Sequence, residues 1–242
     1  MTLVVSSVYL STGVTLSYAA AGDHAAPVVV LLPGPTDSWR SYEPVLDRLA
    51  SSVRAIAVSP RGHGDSDKPP AGYGVRDFAS DVPPLLDALG IDLAVLGGHS
   101  GSCLTVRRVA INHPARVAGL VLEASPTTLR GHTGLTQFVD TALSGLEDPI
   151  DPAFARSFVA DTSSEQVAAE FVDDLASEVM KVPARVWKEM FAGLLAYDDL
   201  DEIEQVTAPT LLLWGDADAL VDRDMQTALA RRVRGAVTGH VV

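Results

Sequence analysis

The chain has 242 residues, of which 47% are hydrophobic and 20% charged, a composition typical of one folded domain with a sizeable core. Its 31 acidic and 18 basic residues give a formal net charge of −13, which disfavours binding to a nucleic-acid backbone. A single cysteine, Cys103, excludes an internal disulfide and a zinc-binding cysteine cluster. Residues 1–22 have neither a basic leader nor an apolar run long enough for export or membrane crossing, so we expect a cytoplasmic protein without a membrane partner.

Short apolar runs predict the strands of a sheet. Residues 3–10 and 14–18 are rich in β-forming residues and are joined by Ser11, Thr12 and Gly13, which predicts a hairpin. Later runs are nearly continuous in apolar residues, as in strands buried on both faces of a parallel sheet that helices cover. These runs are 28–32, 53–58, 93–96, 117–123 and 210–214.

Helical patterns fill the segments between these runs. One amphipathic helix is indicated by the apolar residues Phe78, Val82, Leu85, Leu86 and Leu89, which fall on one helical face. Pro83 and Pro84 interrupt this pattern, because an interior proline removes a backbone hydrogen bond and clashes with the preceding turn. We expect a kink there, or a helix that restarts with Pro83 in its first turn.

The alternation of strand and helix stops after Ser125, and no strand pattern returns before residue 210. Apolar residues recur at helical spacing within this stretch: Val167, Phe171, Leu175 and Val179, and then Trp187, Met190, Phe191, Leu194 and Leu195. We therefore predict an α/β core formed by residues 1–125 and 207–242, with a helical cap inserted at residues 126–206.

A candidate nucleophile, Ser100, lies in the segment GGHSGS directly after the apolar run 93–96. A strand that turns sharply into a helix strains the residue at the turn, which is tolerable only if its close neighbours are small. Gly98 and Ser102 satisfy this condition. The Ser100 hydroxyl would then lie at a helix N-terminus, where free N–H groups favour developing negative charge.

The chain resembles the α/β-hydrolase family over nearly its whole length. The resemblance rests on segments in the family's order and spacing: LLPGPTDSWRSYEPVLDRLA, SPRGHGDSDKP, GGHSGS, HPARVAGLVLEASP and APTLLLWGDADALV. It implies a mostly parallel sheet flanked by helices. Relatives with an aspartate nucleophile, such as haloalkane dehalogenases and epoxide hydrolases, would carry Asp at position 100, so Ser100 favours acyl chemistry.

A serine nucleophile needs a histidine base that a carboxylate orients. The resemblance implies His240, in a Thr-Gly-His segment, as this base. His99 adjoins Ser100 and is assigned to the binding site, although we expect its ring to point away from the hydroxyl. Structural or surface roles are favoured for the remaining histidines, which are His24, His63, His113 and His132.

Two carboxylates compete as the partner of His240. Asp218, in WGDADAL after the strand 210–214, matches the position where most of the family keeps its triad acid. Glu123, at the end of the strand 117–123, matches the position used by haloalkane dehalogenases and some lactone hydrolases. We favour Asp218, and interpret Glu123 alternatively as a buried carboxylate below the site and Asp216 as a loop acceptor.

The segment Pro33-Gly34-Pro35-Thr36 departs from the family pattern. The resemblance implies that the oxyanion is bound by the N–H of the residue after the nucleophile, here Gly101, and by a second N–H at position 35. Proline has no N–H, so Pro35 cannot donate. Thr36, through its amide or its hydroxyl, is the candidate replacement.

Residues of the predicted cap also enter the candidate site. The stripe that contains Trp187 and Phe191 is expected chiefly to pack the cap against the core. The resemblance implies that the inner face of the cap roofs the pocket, so we assign both residues to substrate binding. Cys103 is expected to pack, and the acidic run is interpreted as a solvated linker: Asp198, Asp199, Asp201, Glu202 and Glu204.

The family usually continues past its catalytic histidine into a final helix, whereas this sequence stops two residues after His240. We expect a helix over residues 222–233 and a short last strand that returns His240 to the site. Without a final helix, apolar sheet surface would be exposed. We therefore expect a truncated reading frame, a shortened variant, or a homo-oligomer that covers this surface.

Together these features predict a serine hydrolase of carboxylic esters or lactones, with Ser100, His240 and Asp218 as its triad and a small molecule as its partner. This chemistry needs no metal and no organic cofactor. One alternative is hydrolysis of a carbon–carbon bond in a β-diketone by the same triad. Another is a scaffold that binds a small apolar ligand without catalysis, which Pro35 and the short C-terminus favour.

Overall fold

The computed structural model describes residues 3–49, 52–163 and 167–241, and of residues 240 and 241 only the backbone. Within these residues, the strands form one eight-stranded sheet in the order β1-β2-β4-β3-β5-β6-β7-β8. The strands are β1 (Val4–Tyr9), β2 (Thr15–Ala21), β3 (Val28–Leu32), β4 (Arg54–Val58), β5 (Ala94–His99), β6 (Val117–Glu123), β7 (Thr210–Gly215) and β8 (Val237–Val241).

Strand direction divides the sheet into two parts. β1 pairs antiparallel with β2, and β2 pairs antiparallel with β4, so the predicted hairpin is confirmed at one edge. All further pairs, from β4–β3 to β7–β8, are parallel. The five predicted parallel strands are present, each with both ends at most three residues from the prediction, because continuous apolar runs fit strands that are covered on both faces. The mostly parallel sheet with flanking helices is thus confirmed.

Helices connect and cover these strands. They are α1 (Glu43–Leu46), α2 (Val75–Ala88), α3 (Ser102–Asn112), α4 (Thr133–Phe138), α5 (Pro152–Asp161), α6 (Ala169–Val179), α7 (Ala184–Ala196) and α8 (Arg223–Arg232). A short π-helix, Val139–Leu143, extends α4. Among the described residues, no helix is long and apolar enough to cross a lipid bilayer.

Helix α2 runs through both prolines as one element, so a restart at Pro83 is wrong. Its buried face is continuous across them, with Phe78 and Val82 before and Leu85 after. Asp81 holds the middle of the helix, because its carboxylate accepts two hydrogen bonds of 2.6 Å from Arg61 and one of 2.7 Å from Thr12. Burial and this ion pair offset the hydrogen bonds that the two prolines cannot make.

The described residues between β6 and β7 form helices α4 to α7 and no strand, as the sequence predicts. Their apolar side chains make a hydrophobic cluster of their own, which also contains Tyr73, Phe78 and Leu104 from the core. A separate cluster fills the space between the sheet, α2 and α3. The inserted helices therefore have an apolar centre distinct from that of the sheet.

Arg107 of α3 holds both ends of this inserted segment. Its guanidinium makes a bidentate ion pair with Asp199, in which Nε lies 3.1 Å from a carboxylate oxygen, and it donates to the carbonyl of Pro126 at 2.7 Å and of Thr127 at 3.1 Å. Both charged side chains are essentially inaccessible to water. The interpretation of Asp199 as part of a solvated linker is therefore wrong. The sequence shows a run of acidic residues, but it does not show that Asp199 has a buried arginine partner, which only the tertiary structure provides.

The neighbouring Arg108 reinforces the same joint. Its guanidinium donates to the Tyr197 hydroxyl at 2.8 Å and to both carboxylate oxygens of Glu202 at 2.8 Å. The pairing lowers the pKa of Glu202 below its usual value. Helix α3 thus carries two consecutive arginines that anchor residues 197–202 to the core.

Removing the carboxylate of Asp199 should strongly destabilise the fold, because Arg107 would remain buried without its counter-charge. We expect Asp199→Ala to lower the free energy of unfolding by about 3–5 kcal/mol, measured by urea denaturation. The control is Asp201→Ala, which removes an exposed carboxylate two residues away and should change stability by less than about 0.5 kcal/mol. Equal losses in the two variants would contradict a structural role for the Arg107 pair.

Candidate active site

Ser100 occupies the sharp turn between β5 and α3. Its backbone is in the left-handed region, with φ of 54°, which is a strained conformation for a residue other than glycine. The Ser100 N–H donates to the carbonyl of Glu123 at 2.8 Å, so the neighbouring strand β6 holds the turn in place. The side chain is half-buried and lines a cavity above the carboxyl ends of the strands.

Small residues make this turn sterically feasible. A Cβ atom added to Gly98 would lie 2.7 Å from the backbone oxygen of Ser102, and one added to Gly101 would lie 2.9 Å from Cγ of Pro35. Ser102 stands where the family usually has glycine, and its hydroxyl donates to the carbonyl of Pro33 at 2.5 Å. This hydrogen bond ties the start of α3 to the loop after β3.

Gly98→Ala should disrupt the turn, because the new methyl group meets backbone atoms that cannot move independently of α3. We expect a loss of about 3 kcal/mol in the free energy of unfolding, measured by urea denaturation. Gly145→Ala is the control, since no atom lies within 4 Å of its added Cβ. A Gly98→Ala protein as stable as the Gly145→Ala protein would contradict this account.

The loop after β3 faces the first turn of α3. Pro35 lines the cavity next to Gly101, whose N–H belongs to the first turn of α3, where no acceptor within the helix is available. Thr36 has φ of 76°, is fully buried, and its hydroxyl has no hydrogen-bond partner among the described residues. Thr36 is not among the residues that line the cavity, and its amide and its hydroxyl both stay predictions as oxyanion donors.

The candidate triad residues lie at or near the carboxyl ends of β5, β7 and β8 in one parallel part of the sheet, the edge where α/β sheets bind their ligands. His240 lies in β8 opposite Trp214 of β7, and Asp218 lies three residues after the end of β7. The half-buried Asp218 carboxylate accepts hydrogen bonds of 2.9 Å from the N–H groups of Leu220 and Val221, which fix its loop. His240 as base and Asp218 as acid stay predictions.

Glu123 is the alternative acid, and the strand register places it beside His99. Both residues line the cavity together with Ser100. The Glu123 side chain is exposed, so the interpretation of a buried carboxylate below the site is wrong. The carboxyl end of β6 opens onto the cavity at Glu123, and the apolar pattern of the strand in the sequence does not reveal this opening. The choice between Asp218 and Glu123 as triad acid stays open.

Sequence reasoning missed Asp37, a half-buried acid in the same cavity wall. Burial raises the pKa of its carboxyl to about 6, and the nearby His99 opposes this rise. His99 and Asp37 both approach Gly34: a Cβ added there would be 2.8 Å from His99 Nδ1 and 3.4 Å from an Asp37 oxygen. The sequence signal that could have identified Asp37 is its position as an acidic residue in a loop directly after a parallel strand.

Because its pKa is raised in the folded state, Asp37 destabilises the fold above pH 6, and this penalty disappears as the pH falls below about 4. Asp37→Asn should therefore increase the free energy of unfolding at pH 8, by up to about 3 kcal/mol, with little difference at pH 4. Urea denaturation at both pH values measures the effect, with the exposed Asp174→Asn as control. Equal stability of wild type and Asp37→Asn at pH 8 would contradict the assignment.

The cavity has a volume of about 660 Å³ and mainly apolar walls. Its floor is formed at Gly34, Pro35, His99 and Ser100, and its roof comes from the inserted helices, with Phe138, Phe154, Phe158, Phe191 and Leu194. A cavity of this size can enclose a drug-sized molecule. Phe191 lines it as predicted from the helical stripe.

Trp187 lies behind this wall and does not line the cavity. It is fully buried, with ring centroids 4.8 Å from Phe158, 5.6 Å from Phe154 and 5.8 Å from Phe191. The prediction that Trp187 contacts substrate is wrong, because periodicity gives the face of a helix but not the layer at which a side chain ends. Trp187 instead fixes the positions of three phenylalanines that do form the wall.

Two other reactive residue types lie in packed surroundings. His63 is buried, its Nδ1 lies 2.8 Å from the carbonyl of Arg61, and burial lowers its pKa to about 4. The buried Cys103 donates to the carbonyl of Gly98 at 2.9 Å, and burial raises its pKa to about 12. Among the residues that the structure describes, no group of three or more His, Cys, Asp or Glu side chains is placed to hold a metal ion.

Comparison with known proteins places this geometry among hydrolases. The model of the alpha/beta hydrolase fold matches residues 27–241. Epoxide hydrolase 3 of Xenopus tropicalis is 23% identical over 96% of the chain and 69% of its own length. The 3-oxoadipate enol-lactonase 1 of Acinetobacter baylyi is 26% identical over 85% of the chain and 77% of its own length. The match spans 69% of Epoxide hydrolase 3 and 66% of Epoxide hydrolase 4 of Mus musculus.

Solved structures give a similar picture. The esterase RhEst1 from Rhodococcus sp. ECU1013 superposes with a TM-score of 0.82 at 26% identity, covering 98% of this chain and 89% of that protein. The relatives thus differ in the bond that they hydrolyse while sharing one architecture, so the residues at the carboxyl edge of the sheet must decide the chemistry.

Proposed function

The chain belongs to the α/β-hydrolase fold family, and we propose on that premise that it is a serine hydrolase of carboxylic esters or lactones. One observation carries the proposal: Ser100 is held in a left-handed turn at a helix N-terminus and opens onto an apolar cavity. This position presents the hydroxyl to a bound carbonyl and places the Gly101 N–H beside the developing oxyanion.

In this mechanism, His240 removes the proton of the Ser100 hydroxyl as Oγ attacks the substrate carbonyl, and Asp218 orients and stabilises the imidazolium. The Gly101 N–H binds the oxyanion of the tetrahedral intermediate. His240 then protonates the departing alcohol, which leaves an acyl group on Ser100. Water, deprotonated by the same histidine, hydrolyses this ester and restores the enzyme.

The residue at position 100 favours acyl transfer over epoxide opening. In the epoxide hydrolases, as the sequence resemblance implies, an aspartate occupies the nucleophile position and forms an ester with the opened ring. A serine alkoxide attacks a carbonyl readily and gives an acyl-enzyme that water can cleave. The similarity to epoxide hydrolases therefore supports the fold, while Ser100 supports ester or lactone hydrolysis.

Ser100→Ala and His240→Ala should each abolish hydrolysis of 4-nitrophenyl esters and simple lactones, since the nucleophile and its base act as one unit. The wild-type rate should rise with pH through a pKa near about 6.5, as the base loses its proton. His113→Ala, which changes an exposed histidine on the opposite end of α3, is the control and should retain activity. Wild-type turnover no faster than that of Ser100→Ala would refute the proposal.

The triad acid is identified by a paired comparison under the same assay. Asp218→Asn should reduce kcat by at least about 10²-fold, because the neutral amide no longer stabilises the imidazolium. Glu123→Gln should have a much smaller effect. The reverse order would transfer the role of triad acid to Glu123.

Pro35 should limit the rate, because it occupies the position from which the family takes its second oxyanion N–H. Pro35→Ala supplies an N–H next to Gly101 and should raise kcat by about 10- to 100-fold, part of the 10²- to 10³-fold that one such donor is worth. Steady-state kinetics with a 4-nitrophenyl ester measure this gain, and the exposed Pro209→Ala serves as control. An unchanged kcat would mean that position 35 does not face the oxyanion.

The same proline favours a second candidate, a scaffold that binds a small apolar ligand with little or no catalysis. Here Ser100 would sit in an inherited turn without an activated hydroxyl. A fluorophosphonate probe separates the two functions, because only an activated serine reacts quickly. Rapid labelling that Ser100→Ala abolishes supports the hydrolase, and absence of labelling supports the scaffold.

A further inference from the structure

The charged residues of the cavity wall share one sign. Among the described residues that line it, the carboxylates are Asp37, Glu123 and Asp161, and no lysine or arginine is present. Asp37 follows β3, Glu123 ends β6, and Asp161 ends α5. The negative charges thus come from the sheet side and from the inserted helices, so that a ligand in the cavity meets them from both directions.

The nearest basic residues in sequence do not compensate for these charges. Arg40, three residues after Asp37, lies 3.4 Å from Glu178 and 3.5 Å from Glu43, and its guanidinium stacks on Trp39 at 4.7 Å. His99 is the one basic side chain among the described lining residues. Its ring nitrogens can donate or accept hydrogen bonds, and the ring approaches Asp37 across Gly34.

The remaining wall offers apolar contact. Four phenylalanines line the roof, namely Phe138, Phe154, Phe158 and Phe191. A flexible hydrocarbon chain gains free energy when it leaves water for such a surface. A carboxylate in the same place would lose its hydration, find no guanidinium or ammonium partner, and be repelled by the acidic residues.

We propose that this cavity binds substrates with an uncharged apolar acyl chain and rejects those with a carboxylate, and that Asp37 is a specificity-determining residue for this choice. The inference rests on the proposed function for the identity of the reacting bond. It separates this chain from its relative named for 3-oxoadipate enol-lactone, a carboxylate-bearing lactone. Charge exclusion provides the discrimination: unfavourable contacts against the wrong ligand are as effective as good contacts with the right one.

Of the three carboxylates that line the cavity, Asp37 is the best candidate for a specificity-determining residue. It is half-buried, it lines the cavity in the same loop as Gly34 and Pro35, and both its carboxylate and the His99 ring lie close to Gly34. Its partial burial leaves its charge less screened by water than that of an exposed carboxylate. Glu123 and Asp161 are exposed, so water and salt screen their charges more strongly.

The test measures binding, with Ser100→Ala as the protein so that no ligand is consumed. The ligands share one six-carbon chain: 4-nitrophenyl hexanoate, the mono-4-nitrophenyl ester of adipic acid, and 4-nitrophenyl 6-(trimethylammonio)hexanoate. At about pH 7.5 their chain ends are neutral, negative and positive, respectively, and the trimethylammonium end is also the bulkiest. Isothermal titration calorimetry should give the smallest Kd for the hexanoate, a Kd at least ten-fold larger for the adipate, and an intermediate Kd for the quaternary ammonium ligand.

The cationic ligand distinguishes repulsion from simple loss of hydration. If the two charged ligands bind equally weakly, the acidic wall is not the cause and the proposal is overturned. It is also overturned if the adipate ester binds as tightly as the hexanoate, or if none of the three ligands binds. Adding Asp37→Asn should narrow the ratio of the adipate and hexanoate Kd values by at least three-fold, whereas adding Asp174→Asn should leave it unchanged.

Glu123→Gln in the same Ser100→Ala background is a second variant, because this exposed side chain can be changed without disturbing the fold. Glu123→Gln should also bring the Kd values of the adipate and hexanoate esters closer together, but by a smaller factor than Asp37→Asn. This binding test does not depend on catalysis. If the ester assays and fluorophosphonate labelling fail, the proposed hydrolase function is refuted. The proposed charge selectivity is decided separately, by the order of the three Kd values.

Discussion

The left-handed turn at Ser100 is the constraint on which the site depends. The turn lifts the hydroxyl out of β5 and starts α3 within two residues. It exists because Gly98 and Gly101 leave room for neighbouring atoms and because the carbonyl of Glu123 accepts the Ser100 N–H. The strain of such a backbone, about 1–3 kcal/mol, is retained where the surrounding structure determines the conformation.

Helix α3 links this turn to the roof of the cavity. At its first turn, Ser102 is hydrogen-bonded to the loop after β3, and one to two turns later Arg107 and Arg108 hold the two ends of the inserted helices. One rigid element therefore fixes the nucleophile, the oxyanion loop and the joint of the roof relative to one another. The Arg107–Asp199 pair is buried, so loss of either partner would leave an uncompensated charge at the joint between the inserted segment and the core.

The site also contains features that oppose folding. Thr36 has a left-handed backbone and a buried hydroxyl without a described partner, and Asp37 is a half-buried carboxylate with a raised pKa. Thr36 and Asp37 lie in the loop after β3, and Ser100 follows the neighbouring strand β5. Strained or poorly satisfied groups concentrate at functional sites, since elsewhere a more stable residue would serve as well. Their clustering at the carboxyl edge of the sheet agrees with the position expected for ligand binding.

The sequence by itself determined the strands of the parallel sheet and the turn at Ser100, because continuous apolar runs and small residues around a serine are local signals. It also determined that residues after Ser125 are helical, from spacing alone. Only the tertiary structure decided that Asp199 is buried, that Asp37 faces the cavity and that Trp187 lies behind Phe191. Each of these depends on how elements distant in the chain dock against one another, and the depth and partners of a side chain follow from that docking and from no pattern within its own segment.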